Sequence, residues 1–113
     1  MKKDYRVFLL HIRDSIAAIR EYTKDGKVVF MADRKTQDAV IRQLEIIGEA
    51  VKALPPEFRS KYEPIPWKDI AGMRDMLIHH YFGVDIKTVW GVVENHLPAL
   101  EAVVVSETKD FLL

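Results

Sequence analysis

Apolar residues recur three and four positions apart along almost the whole chain, the spacing of helices that bury one face. The first stripe is Tyr5, Phe8, Leu9, Ile12, Ile16 and Ile19, and Arg6, Arg13, Asp14, Arg20 and Glu21 fall on the opposite face. This predicts a helix from about Lys3 to Tyr22, broken at Lys24-Asp25-Gly26-Lys27. Val28-Val29-Phe30-Met31 has no second strand to pair with, so a loop tucked against the bundle is expected there. Asp33 offers an N-cap to a second helix with the stripe Val40, Leu44, Ile47, Val51 and Leu54, which Pro55-Pro56 stops. Ala39, Gly48, Ala50 and Ala53 interleave with that stripe and permit close helix approach.

Glu57 to Tyr62 is expected to form one or two turns. Pro66 can open a third helix, from about Trp67 to His80, because its missing N–H is not needed there. Gly83 suits a left-handed C-cap, and Asp85 suits the N-cap of a fourth helix. The last stripe is Ile86, Val89, Trp90, Val93, Leu97, Leu100 and Val104. Pro98 lies inside it, so a kink or break is expected near Asn95-His96. Four main helices with one short connecting helix predict an all-α, up-down bundle, a single domain over residues 1–113.

A length of 113 residues is one domain, enough to bury about two thirds of the unfolded surface. The absence of Cys excludes disulfides, thiolate zinc sites and Cys nucleophiles. Seventeen Lys and Arg balance seventeen Asp and Glu, which argues against a broad polybasic nucleic-acid surface but leaves room for a small cationic site. The start of the chain is too polar for a signal peptide. The longest apolar runs are far short of the roughly 20 residues of a membrane span, so a soluble, cytoplasmic protein is expected.

The third helix breaks its own pattern. On a wheel of about 100° per residue, Trp67, Ile70, Leu77, Ile78 and Tyr81 fall within about 60° of Arg74. A permanent cation in an apolar stripe demands a partner or an anionic ligand. A snorkelling side chain or a structural ion pair is the plain alternative. His79 lies about 140° from Arg74, so the two converge on one phosphate only if the helix loosens at its end or a second protomer brings its own copy. Asp75, at i−4 from His79, shares its face and could orient the ring. The other histidines, His11, His80 and His96, read as structural or solvated. Glu45 and Glu49 read singly as solvated carboxylates, although Glu49 could pair with Arg74 or Arg42. No H-E-x-x-H arrangement is present, and no metal site is expected.

Arg, His and Tyr together suit metal-free phosphodiester chemistry. His can take a proton from a ribose 2′-hydroxyl or give one to the leaving oxygen. Arg can grip the phosphate bidentately and stabilise its developing charge. Tyr can donate to the phosphate, stack on a base, or serve as a modifiable hydroxyl.

The string Arg74-Asp75-Met76-Leu77-Ile78-His79-His80-Tyr81 reads R-x4-H-x-Y. Phe82-Gly83-Val84-Asp85 and Val89-Trp90 follow it. Asp38-Ala39-Val40, Ile47-Gly48-Glu49-Ala50 and Pro66-Trp67-Lys68-Asp69-Ile70-Ala71-Gly72-Met73 precede it. This ordered set, from about Tyr5 to Leu100, resembles the HepT family of the HEPN superfamily. The resemblance implies an all-α HEPN bundle that dimerises, with two motifs lining a cleft at the interface. It implies a metal-independent, cofactor-free RNase toxin of a type VII toxin–antitoxin pair. Its partner would be an MntA-like minimal nucleotidyltransferase antitoxin. Carried over by position, Arg74 and His79 are the catalytic pair, Tyr81 accepts AMP, and Asp75 is a supporting residue. Asp75 stands where many relatives have Asn, and His80 where Gly is common.

Two other readings remain open. One is a non-catalytic module that binds a nucleotide or the partner nucleotidyltransferase. The other is dimer packing alone, a costly use of Arg, His and Tyr in one seam. A local site on a neutral protein predicts weak RNA binding with a shallow salt dependence.

Overall fold

The computed structural model describes residues 4–79, 84–109 and 111, and of Ile78 and His79 the backbone alone. Among the described residues the chain is all-α: α1 (Arg6–Tyr22), α2 (Lys27–Ala32), α3 (Arg34–Lys52), α4 (Pro56–Lys61), α5 (Trp67–His79), α6 (Ile86–Asn95) and α7 (Leu97–Thr108). The helix α3 lies at the centre. It packs on one side against α1 and on the other against α5, while α7 covers α1 and α6 adjoins α7 and α2.

The sequence stripes become the core. Leu9, Ile12, Ile16 and Ile19 of α1 meet Val40, Leu44, Ile47 and Val51 of α3, all essentially inaccessible to solvent. Leu77, Val89, Val93, Leu97, Leu100 and Val104 close the far side. Each such side chain contributes about 1.5–3 kcal/mol on burial, so the interior of the bundle is its main stabilising term.

The caps fall where the chain calls for them. The Asp33 carboxylate accepts from the Lys35 N–H at 3.2 Å and from the Thr36 hydroxyl at 2.6 Å. Asp85 accepts from the Lys87 N–H at 2.9 Å and starts α6. The expected break at Asn95-His96 separates α6 from α7, with Pro98 in the first turn of α7 where its ring needs no donor. Pro66 differs by one position: it precedes α5, and its carbonyl accepts from the Ile70 N–H at 3.0 Å.

Val28–Met31 is a correction to the expected loop, because it forms most of the short helix α2. The bundle therefore has two short connecting helices rather than one. Gly26, with φ +91°, turns the chain into α2, and the Phe30 N–H reaches back to its carbonyl at 3.1 Å. Phe30 alone of the run is fully buried, with its ring 5.1 Å from that of Trp90. The Gln37 side-chain amide donates to the Phe30 and Met31 carbonyls at 3.0 and 3.1 Å, satisfying acceptors at the end of α2. Burying one aromatic at helical register, with the last carbonyls supplied with a donor, favours this turn over an open loop.

The start of α5 is fixed by an aromatic node. Phe58 of α4 contacts Tyr5, Tyr62 and Trp67 at ring separations of 5.5, 5.4 and 6.0 Å. The Trp67 indole N–H donates to the Arg59 and Tyr62 carbonyls at 3.0 and 3.1 Å. The Tyr62 hydroxyl donates to Glu107 of α7, and Lys61 sits 3.0 Å from the same carboxylate. The two hydrogen bonds and the ion pair lower the Glu107 carboxyl below its ordinary pKa, and the bond to Glu107 raises the Tyr62 phenol above its own.

Candidate active site around Arg74

The Arg74 position is set by the crossing of α3 and α5. A Cβ placed on Gly48 would stand 2.7 Å from the Arg74 Cβ and 3.1 Å from the Ile70 carbonyl oxygen. Only the missing side chain of Gly48 lets the two backbones come this close, so the close approach expected of the small residues falls at the motif arginine. Trp67, Ile70 and Leu77 on either side of Arg74 along α5 are buried, whereas Arg74 is half-buried with 32% of its side chain exposed. The wheel reading of a cation within an apolar stripe holds for Trp67, Ile70 and Leu77, while the side chains of Ile78 and Tyr81 lie outside the described residues.

The guanidinium is pre-paired. Its Nε lies 2.6 Å from a Glu49 carboxylate oxygen, and an Nη donates to Asp75 at 3.0 Å. Asp75 is also 3.4 Å from the Lys52 ammonium, and that charge, ahead of Arg74, lowers its carboxyl pKa. Nearby, Arg42 pairs with Glu45 at 3.2 Å. Reading Glu45 and Glu49 as merely solvated is therefore corrected: both are ion-paired, Glu49 with Arg74 and Glu45 with Arg42. These pairs follow from α3 placing residues 42, 45 and 49 along one face, with α5 alongside at Gly48.

A cavity of about 320 Å³ opens beside this cluster, at the small end of the range for ligand sites. Arg74, Glu49, Arg42, Glu45 and His11 supply its polar lining, and Phe8, Ile46 and Ala50 the rest. The His11 ring meets Phe8 edge-on at 6.1 Å. His11 and Phe8 were not candidates in the sequence, because only the packing of α1 on α3 carries them to Arg74. The Arg42, Glu45 and Glu49 set was partly legible as a run on one helix face.

His79 is the last residue of α5, five positions after Arg74. Tyr81 and His80 lie outside the described residues, as does the expected Gly83 cap. The described partners of Asp75 are Arg74 and Lys52. No helix among the described residues is long and apolar enough to cross a membrane.

An all-α bundle with an arginine held at a helix crossing, at the head of R-x4-H-x-Y, defines a class that the comparisons specify. The family described as Ribonuclease HepT-like matches residues 12–106. A Thermococcus cleftensis protein named "Probable ribonuclease HepT" is 45% identical over 102 residues, covering 89% of this chain and 93% of that protein. A Methanocaldococcus jannaschii protein named "Putative RNase" is 50% identical over 98 residues, covering 86% and 81%. Another from that organism, named "Gamma-glutamylcyclotransferase and putative RNase", is 54% identical over 102 residues. The match covers 89% of this chain and 46% of that protein, so the chain spans about half of that relative. No solved structure matches significantly. The chain belongs to the HepT-like ribonuclease family.

Proposed function

We propose that this protein is a metal-independent endoribonuclease toxin that acts in the cytoplasm as a homodimer, with the two motifs facing one cleft. The observation that carries this reading is a half-buried arginine at the edge of a cavity of about 320 Å³, on the helix that ends in His79. Arg74 binds the scissile phosphate and stabilises its added charge. His79 removes the 2′-hydroxyl proton or protonates the leaving 5′-oxygen. Five residues of helix advance about 7.5 Å along the axis, close enough for both groups to serve one nucleotide step once the two sites face each other.

Tyr81, two residues beyond His79, is the acceptor of AMP from an MntA-like minimal nucleotidyltransferase antitoxin. The transferred nucleotide adds bulk and a negative phosphate beside Arg74, occupying the place of the RNA phosphate and silencing the toxin. Asp75 supports the site through Arg74 rather than through the substrate.

The test is RNA cleavage in EDTA by wild type, His79→Ala and Arg74→Ala. Cleavage by wild type, and its loss in both variants with folding retained, is expected. Nucleotide binding with no turnover by wild type would instead favour a non-catalytic nucleotide- or partner-binding module. Intact mass after co-expression with an adjacent nucleotidyltransferase tests the modification. A Tyr81→Phe chain that still gains AMP would refute the assignment of Tyr81.

A further inference from the structure

Glu49 holds the Nε edge of Arg74, an edge that a bidentate phosphate would use. Its carboxylate is 2.6 Å from the guanidinium, and both residues line the same cavity. The two carboxylates on Arg74 differ in what else holds them. Asp75 is shared with Lys52 at 3.4 Å, so it keeps a cation when Arg74 turns away. Glu49 is 66% exposed and is described with Arg74 alone. Glu49 is therefore the carboxylate that can leave, with open cavity and solvent to receive it.

We propose that Glu49 is an internal latch on Arg74: a stand-in anion that a phosphodiester displaces when it enters the cavity. This rests on the reading of Arg74 as the phosphate-binding group. The latch neutralises the cation of the resting site, so stray anions meet a charge-balanced pocket. Arg42 and Glu45 line the same cavity as a second ion pair, but there the cation and not the carboxylate is the exposed member. An exposed ion pair is weak, whereas a bidentate guanidinium–phosphate contact is among the stronger charge-assisted interactions, so the exchange runs toward the phosphodiester. Removing the latch charge takes away both the competitor and a repulsion, and tighter binding by about three- to fivefold is expected.

The experiment measures binding of inorganic phosphate and of a short 2′-deoxy oligonucleotide, which lacks the hydroxyl needed for cleavage. Wild type, Glu49→Gln, Arg74→Ala and the double variant are compared at one ionic strength. The expected result is tighter binding by Glu49→Gln, weaker binding by Arg74→Ala, and a double variant no tighter than Arg74→Ala. Glu49→Asp, one methylene shorter, should fall between wild type and Glu49→Gln, which keeps the test alive if one variant folds poorly. In RNA cleavage the gain from Glu49→Gln should appear in KM, whereas a purely structural tie between α3 and α5 would lower stability and weaken binding. Unchanged or weaker binding by Glu49→Gln, with Arg74→Ala still impaired, overturns the latch and spares the phosphate-site reading. Unimpaired binding by Arg74→Ala overturns both.

Discussion

Replacing Gly48 with Ala tests the contact on which the site is built. The added methyl would sit 2.7 Å from the Arg74 Cβ, 3.1 Å from the Ile70 carbonyl oxygen and 3.3 Å from the Arg74 nitrogen. Carbon atoms in contact keep about 3.5–4.0 Å, so α5 must retreat by about 1 Å. Overpacking of this kind costs about 1–3 kcal/mol, against which the helix preference of Ala over Gly returns about 1 kcal/mol. A net loss of about 0–2 kcal/mol follows. Gly72 and Gly91 supply the control, because a Cβ at either meets nothing within 4 Å. Their Ala variants gain the helix preference alone and should be stabilised by up to about 1 kcal/mol. Two of the three atoms that Gly48→Ala crowds belong to Arg74, so on the proposed mechanism activity should suffer far more than stability. A misplacement of about 1 Å in a catalytic group costs on the order of a hundredfold in rate. Urea melts of the three variants and their RNA cleavage rates decide the matter. A Gly48→Ala protein as stable as Gly72→Ala and as active as wild type would show that α3 and α5 do not cross as closely as described.

Other expectations concern the supports of the site. The depressed Glu107 carboxyl contributes stability that is present above its unfolded value near 4.5 and lost as pH falls through the lower folded value. Acid melts of Glu107→Gln should therefore fall off less steeply below about pH 4.5 than those of wild type. Identical acid limbs would refute that contribution. The raised Tyr62 phenol acts in the opposite sense, with stability present below pH 10 and lost as pH rises above it; Tyr62→Phe should blunt that alkaline loss in the same melts. Asp85→Ala removes the acceptor for the Lys87 N–H and should cost about 1 kcal/mol in chemical denaturation, with no loss of helix at α1 or α3.

The helices were legible because their periodicity is regular and their ends carry distinct chemistry. Asp33, Asp85, Pro55-Pro56 and Pro98 each act through backbone donors and ring geometry that a local stretch contains in full. The short helix α2 was not legible. Its four apolar residues look alike in the sequence, and only the distant Trp90 and Gln37 decide that Phe30 is buried while Val28 is 84% exposed. The site divides the same way. Arg74 stood out because a cation interrupts an apolar stripe, whereas Gly48 was one of four small residues permitting close approach, and only the crossing with α5 singles it out. His11 and Phe8 gave no such signal, since their place in the cavity depends on how α1 lies on α3, a relation that no spacing within α1 encodes.

The aromatic node at Trp67 fixes the start of α5. Its root is clamped by the indole bonds to Arg59 and Tyr62 and, through Tyr62 and Glu107, to α7. From that root Arg74 lies about 10 Å along the axis and His79 about 18 Å. A tilt of about 5° about the clamp moves the Arg74 level by about 0.9 Å and the His79 level by about 1.6 Å. The Gly48 contact, beside Arg74, resists the motion in one direction and permits it in the other. Leu77 lies buried between those two levels, so a load applied near His79 reaches the arginine only by repacking the core around Leu77.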